Sequence, residues 1–213
     1  KLTNDINLDN REWTPIGTLK DGSKHFEGTF DGNGYVIRNM RVFNGVDGAG
    51  LFKSIAGIVT IQNLTIENAT IEYPGKDDFY GSGLVGTAYG NVTIKNVIVK
   101  DSYISGNNKV AGILAHDGGV SSLNIENCHV TGCTIESLNE EDGGNVGGLV
   151  GLYNSNKEAT IKNSSVKNCT INGINSTNTG KRANGEFVGC IGGKDNAVLN
   201  IIECEILGNT FTQ

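Results

Sequence analysis

A three-residue unit, Ile-x-Asn, recurs along this chain as Ile37-Arg38-Asn39, Ile61-Gln62-Asn63, Ile94-Lys95-Asn96, Ile125-Glu126-Asn127 and Ile161-Lys162-Asn163. A further copy, Ile201-Ile202-Glu203, puts Glu where the others have Asn. Three residues past the Asn or Glu stand Val42, Ile66, Val99, Val130, Val166 and Ile206, all apolar. Eight residues past it, in the last five copies, stand Ile71, Ile104, Ile135, Ile171 and Phe211. Such gapless columns mark an internal repeat, and a repeat narrows the possible folds before any local propensity is weighed. The markers lie 24, 33, 31, 36 and 40 residues apart. A constant block with spacers of free length predicts a fixed strand core that carries variable loops.

Within a block the hydrophobic period is two. Ile61, Leu64, Ile66, Ala69 and Ile71 point one way, with Gln62, Thr65, Glu67 and Thr70 between them. That alternation, rich in β-branched residues, predicts strands. The phase slips at Asn63 and again near Asn68. Each slip predicts a corner, because Asn tolerates a left-handed backbone and bonds locally through its amide. Strand, corner, strand, corner, strand and loop make one coil. One coil cannot bury its own inner face, so coils must stack at about 4.8 Å, each column over its equivalent. The expected fold is therefore all-β: a single-stranded parallel β-helix of about six coils, right-handed like parallel crossovers generally. Residues 1–35 are expected to form an N-terminal cap and lead into the first coil, with residues 36–213 forming the repeats. The aromatic clusters around Trp13 and Phe26–Phe30 suit a cap, since an open sheet edge invites aggregation.

A second block precedes each marker: Gly50-Leu51-Phe52, Gly83-Leu84-Val85-Gly86, Gly112-Ile113-Leu114-Ala115, Gly148-Leu149-Val150-Gly151 and Glu186-Phe187-Val188-Gly189. The Gly-Leu-Val-Gly phrases, followed by Ile-x-Asn and a valine-rich strand, resemble the GLUG-motif repeat family. The phrases Leu2–Leu8 and Phe26–Tyr35 resemble the coil that precedes those repeats. The resemblance covers nearly the whole chain. It implies a secreted or cell-surface bacterial protein of adhesin-like character, part of a larger chain, with a host or cell-surface protein or glycan as partner. Some such repeats adjoin a metallopeptidase domain in streptococcal IgA-cleaving enzymes.

Composition excludes other classes. The net charge is −6 and no Lys or Arg cluster stands out, so nucleic acid is not an expected partner. No apolar run nears the roughly 20 residues of a membrane-spanning helix. No signal-peptide pattern is present, and the chain opens on Lys1-Leu2-Thr3 as an excised or mature piece would.

The search for chemistry turns up little. His25, His116 and His129 lack the His-Glu-x-x-His spacing of a zinc peptidase, and no cofactor is expected. Asp77, Asp78, Glu140, Glu141 and Asp142 fall in long loops. They read as solvated loop charges, with a Ca²⁺ site as the sharper alternative. Glu67, Asp101 and Glu136 face outward at unmatched columns, which does not suit the paired carboxylates of a glycosidase. Tyr89, His116 and Tyr153 follow the second block in successive coils and are candidate ligand-binding residues along the rod. The other reading makes them turn residues whose rings shield the core edge. The five cysteines contain no Cys-x-x-Cys. Cys133 and Cys169 share a column within reach of a bridge, but in-register neighbours point the same way, so buried free thiols are expected. The function expected is non-catalytic adhesion, display or spacing, with affinity in the loops at 72–82, 136–147 and 172–186. The alternative is a carbohydrate-active or glycan-binding β-helix.

Overall fold

The computed structural model describes residues 1–18, 24–43, 48–72, 79–138, 144–173, 184–185, 188–191 and 198–212. It is an all-β solenoid of parallel strands in three sheets, with no helix among the described residues. The first ladder stacks Phe30, Ile61, Ile94, Ile125, Ile161 and Ile201. A second, one corner later, stacks Ile6, Ile37, Ile66, Val99, Val130, Val166 and Ile206. The second sheet stacks Val42, Ile71, Ile104, Ile135, Ile171 and Phe211. The third joins Tyr80–Ser82, Lys109–Ala111, Asn145–Gly147 and Asn184–Gly185. Four coils, beginning at Phe52, Val85, Leu114 and Val150, carry a named strand in every sheet. Partial turns flank them among the described residues, where the six expected coils are met by four complete ones.

The first marker was out of phase. Ile37 pairs with Ile66 rather than Ile61, and the true partner of Ile61 is Phe30. Ile-x-Asn phrases close both corners of a coil, as Ile66-Glu67-Asn68 also shows, so the phrase alone cannot say which corner it is. Residues 1–35 share these ladders. Phe26–Asp31 pairs with the Phe52–Glu67 strand, and Ile6–Asn7 with Val36–Arg38.

Both corners are left-handed, as the phase slips predict. At the first, Asn33, Asn63, Asn96, Asn127, Asn163 and Glu203 have φ between 51° and 55°. At the second, Asn39, Asn68, Asp101 and Asn168 have φ of 50–58°, and Gly132 and Gly208 have φ of 64° and 67°. Asn is the side chain that reaches this region at least cost and still satisfies its amide. Its amide does so across coils: Asn127 Nδ2 donates to Asn96 Oδ1 at 2.9 Å, Asn96 to Asn63 at 2.9 Å, and Asn63 to Asp31 Oδ1 at 3.1 Å. A second ladder joins Asn68 to Asn39 and Asn39 to Asn7, at 2.7 and 2.8 Å. The Asn33 N–H and the Asn63 amide hold the Asp31 carboxyl below its ordinary range, because each favours the charged form.

The core is the stack of inward columns. Ile61, Ile94, Ile125 and Ile161 are each 0% exposed. Burying one such side chain is worth about 1.5–3 kcal/mol. The glycines that open three of the second blocks, Gly50, Gly83 and Gly112, are packing requirements. Gly112 donates its N–H to Gly148 O at 2.9 Å, and a Cβ at Gly112 would lie 2.6 Å from that oxygen. The thiols behave as small apolar groups. Cys128, Cys133 and Cys169 are buried and free, and burial pushes the Cys128 thiol up to about 12.

Two consequences are measurable by urea unfolding. Asn96→Ala forfeits both the left-handed preference and the amide ladder, and is expected to cost about 2 kcal/mol. Asn96→Gly keeps the backbone geometry and is expected to cost about half as much. Equal losses for the two would show that backbone handedness contributes nothing there.

Candidate functional site

Where the long strands begin, the register lines up Ser54, Thr87, His116 and Leu152 on successive coils. Ser54 and Thr87 are buried, while His116 is half-buried. Around this column gathers a row of rings. His25 Nδ1 is hydrogen-bonded to Ser54 Oγ, and the Tyr89 ring lies 5.4 Å from the His25 ring at a tilt of 48°. On the next levels the Tyr80 and His116 rings are 4.8 Å apart at 57°. Lys109 Nζ sits 4.3 Å from the Tyr80 ring centre and 3.0 Å from Asn108 Oδ1. Tyr80 and Lys109 are register neighbours in the third sheet, so the row bridges two sheets at the corner that joins them.

Of the three ring residues read from the sequence, two belong to this row and one does not. Tyr89 and His116 are half-buried. Tyr153 is only 1% exposed, and its hydroxyl donates to the Lys157 carbonyl. Nor do the three share a column. Tyr89 pairs with Gly119, His116 with Thr87 and Leu152, and Tyr153 with Ile191. The cause is their unequal distance from the second block: Tyr89 stands two residues past Thr87, the partner of His116, and Tyr153 one residue past Leu152, the other partner of His116. Register shifts between the Val85–Lys100 and Leu114–Glu126 strands, at Asp117/Gly119 and Val120/Ser122, then set Tyr89 opposite Gly119. His25, Tyr80 and Lys109 were not foreseen, because they come from different strands that only the coil brings together. The acidic candidates Asp77, Asp78, Glu140, Glu141 and Asp142 lie outside the described residues, as do residues 73–78, 139–143 and 174–183 of the three long loops.

Several carboxylates of the strand faces are engaged. Asp117 Oδ1 accepts from the N–H groups of Gly119 and Val120 at 2.9 and 2.8 Å, and its Oδ2 from Asn154 N at 3.1 Å. Glu136 accepts from the Tyr103 hydroxyl and from Asn172 Nδ2. Burial, then that carboxylate, push the Tyr103 hydroxyl up to about 12. Glu67, Glu126 and Glu205 pair with Lys100, Lys162 and Lys167 at 3.0, 2.9 and 2.6 Å.

A second concave feature lies on the outer face two residues past the corner Asn. An open groove of about 590 Å³ is lined by Ile98, His129, Ser165, Lys167 and Glu205, among others. His129 bridges two coils: Nε2 meets Asn127 Oδ1 at 3.0 Å and Nδ1 meets Ser165 Oγ at 2.9 Å. Asn127 Oδ1 can only accept, so the proton sits on Nε2, and Nδ1 accepts from the Ser165 hydroxyl. This resembles the contact of a nucleophile with its base. Ser165 N–H, however, is spent on Cys128 O at 3.0 Å, so it offers nothing to an oxyanion. The column could have been read from the sequence, since His129 and Ser165 both follow a corner Asn by two residues.

No family model matches the chain. A stretch of 103 residues, 47% of the chain, is 38% identical to part of halomucin from Haloquadratum walsbyi (strain DSM 16790 / HBSQ001), and the match spans 1% of that protein. The crystal structure of a candidate immunoglobulin A1 protease from Bacteroides ovatus superposes with a TM-score of 0.62 over 97% of this chain and 69% of that one. At 18% identity this likeness establishes the fold.

Burial, followed by the charge of Lys167, holds His129 below its ordinary value of 6.5. The folded state thus binds this proton less tightly than the unfolded chain does. The resulting stabilisation is complete above the unfolded value and is lost as pH falls through the folded one. The melting temperature is therefore expected to drop as pH falls from neutral toward the acid side of the His range. His129→Gln is expected to flatten that drop, and identical pH profiles for the two proteins would refute the assignment.

Proposed function

We propose that this chain is a non-catalytic repeat module of a secreted or cell-surface protein, acting in adhesion, display or spacing. The observation that carries the reading is the state of the strand-face carboxylates. Each described one named above is held by a Lys, an amide or backbone N–H groups, so its task is to bind coil to coil. A glycosidase instead needs two carboxyl groups facing one sugar, one of them protonated. Halomucin is by name a mucin, and half of this chain is similar to a small part of it, which supports a place among large surface proteins. The GLUG-like phrases support the same setting, and with it a bacterial adhesin-like role and a host protein or glycan as partner.

A second reading is favoured by one specific observation, the row of half-buried rings His25, Tyr89, Tyr80 and His116. Ring faces take the apolar faces of sugars, and imidazoles take hydroxyls. This reading makes the module glycan-binding or carbohydrate-active.

One screen separates the two. The purified chain is presented with mucins, matrix proteins and polysaccharides, and both retention and released reducing sugar are measured. Saturable retention without product supports the module. Turnover of any polysaccharide overturns it. If a glycan is retained through the ring row, Tyr89→Ala with His116→Ala is expected to weaken retention at least about tenfold. Unchanged retention would move the contact to another face.

A further inference from the structure

Within the ring row lies a polar atom that the fold leaves unsatisfied. Thr87 is 1% exposed, and its Oγ1 has no hydrogen-bond partner among the described residues. Its register neighbours are Ser54 on the coil before and His116 on the coil after. Ser54 differs from it, since the Ser54 hydroxyl is bonded to His25 Nδ1. A buried hydroxyl without a partner is destabilising, and Val would fill the same space without that cost. The Tyr89 ring is seated beside this residue. A Cβ at Gly118 would lie 2.5 Å from Tyr89 Cε1 and 2.8 Å from the Thr87 methyl. The methyl therefore faces Gly118 and the Tyr89 ring, and the hydroxyl is turned from them. Charges near the row are committed elsewhere. Lys109 is 8% exposed, with its ammonium on Asn108 Oδ1 and over the Tyr80 ring. Asp117, next to His116, accepts from three backbone N–H groups. At the rim, the Glu27 carboxyl carbon lies 3.3 Å from the Cβ position of Gly57, which stacks against Gly90, the residue after Tyr89.

We propose, resting on the glycan-binding reading of this row, that its ligand is an uncharged sugar unit stacked on Tyr89 and anchored by a hydroxyl at Thr87 Oγ1. A sugar hydroxyl both donates and accepts, so it suits a buried Thr hydroxyl and a neighbouring imidazole at once. The C–H face of the sugar covers the phenol ring. Entry is between the Tyr89 and His116 rings, on the side of Thr87 away from its methyl. Gly118 is a positioning residue, because any side chain there would push the Tyr89 ring out of its seat. An acidic sugar fits this place less well. Lys109 is already held, the Glu27 carboxylate stands at the rim, and the whole chain carries a net charge of −6, which works against a polyanion.

The test is retention of the chain and its variants on neutral polymers (galactan, glucan and mannan) and on acidic ones (polygalacturonate and heparan sulfate), with the melting temperature measured alongside. Retention on at least one neutral polymer is expected to exceed that on the acidic ones by about tenfold or more. Thr87→Val, which keeps the shape, is expected to weaken that retention about tenfold. Its melting temperature is expected to stay the same or rise, because the fold does not use the hydroxyl. Gly118→Ala is expected to weaken retention too, with strand content checked by circular dichroism. Unchanged retention in Thr87→Val, or a lowered melting temperature, overturns the anchor. The glycan-binding reading then still stands if Tyr89→Ala with His116→Ala releases the polymer. Equal or stronger retention on the acidic polymers overturns the uncharged class. Retention on no polymer overturns the row as a glycan site, and this inference with it.

Discussion

A single coil of this chain has no partner within itself for the N–H and C=O groups of its strands. They are satisfied by the coils above and below, in register, and the rest of the structure follows from that. Because like lies over like, Ile61, Ile94, Ile125 and Ile161 form one continuous column. A side chain that suits one level must suit its neighbours. The same rule puts Asn96 between Asn63 and Asn127, where its amide donates downward and accepts from above. It also brings Glu126 against Lys162 and Glu67 against Lys100. These surface pairs contribute little individually. Their order along the rod still matters, because like charges stacked one strand apart would repel.

The stacking rule also limits what the faces can do chemically. A strand face in the middle of the rod presents one residue per level, and the backbone N–H groups beneath it are spent on the ladder. Ser165 illustrates the point: its hydroxyl meets His129, but its N–H serves Cys128 O. Groups from different sheets can converge only where the chain turns from one sheet to another. The row of His25, Tyr89, Tyr80, His116 and Lys109 sits at such a turn. The carboxylates Glu67, Glu126 and Glu205, at strand ends, instead tie neighbouring coils together. A module of this kind suits recognition along a line or spacing between domains better than bond cleavage at a point.

The parallel β-helix was legible in the residues because a period of two, broken by Asn at fixed offsets, has few other solutions. The left-handed corners at Asn63, Asn96, Asn127 and Asn163 were legible for the same reason, since few side chains accept that backbone. The buried free thiols at Cys133 and Cys169 followed from their shared inward column. Three things were decided only in the folded chain. The first was phase at the N-terminal end: Ile37 closes the second corner, and Phe30, with no Ile-x-Asn around it, takes the place beneath Ile61. The second was the candidate site. Tyr89 stands two residues beyond Thr87, the column partner of His116, and Tyr153 turns inward toward the Lys157 carbonyl. The third was the company these rings keep, since His25, Tyr80 and Lys109 arrive from other strands. Sequence determines periodicity because each residue's own preference repeats. Bulges and the meeting of separate sheets depend on how coils of unequal length settle on one another, and that is a property of the stack.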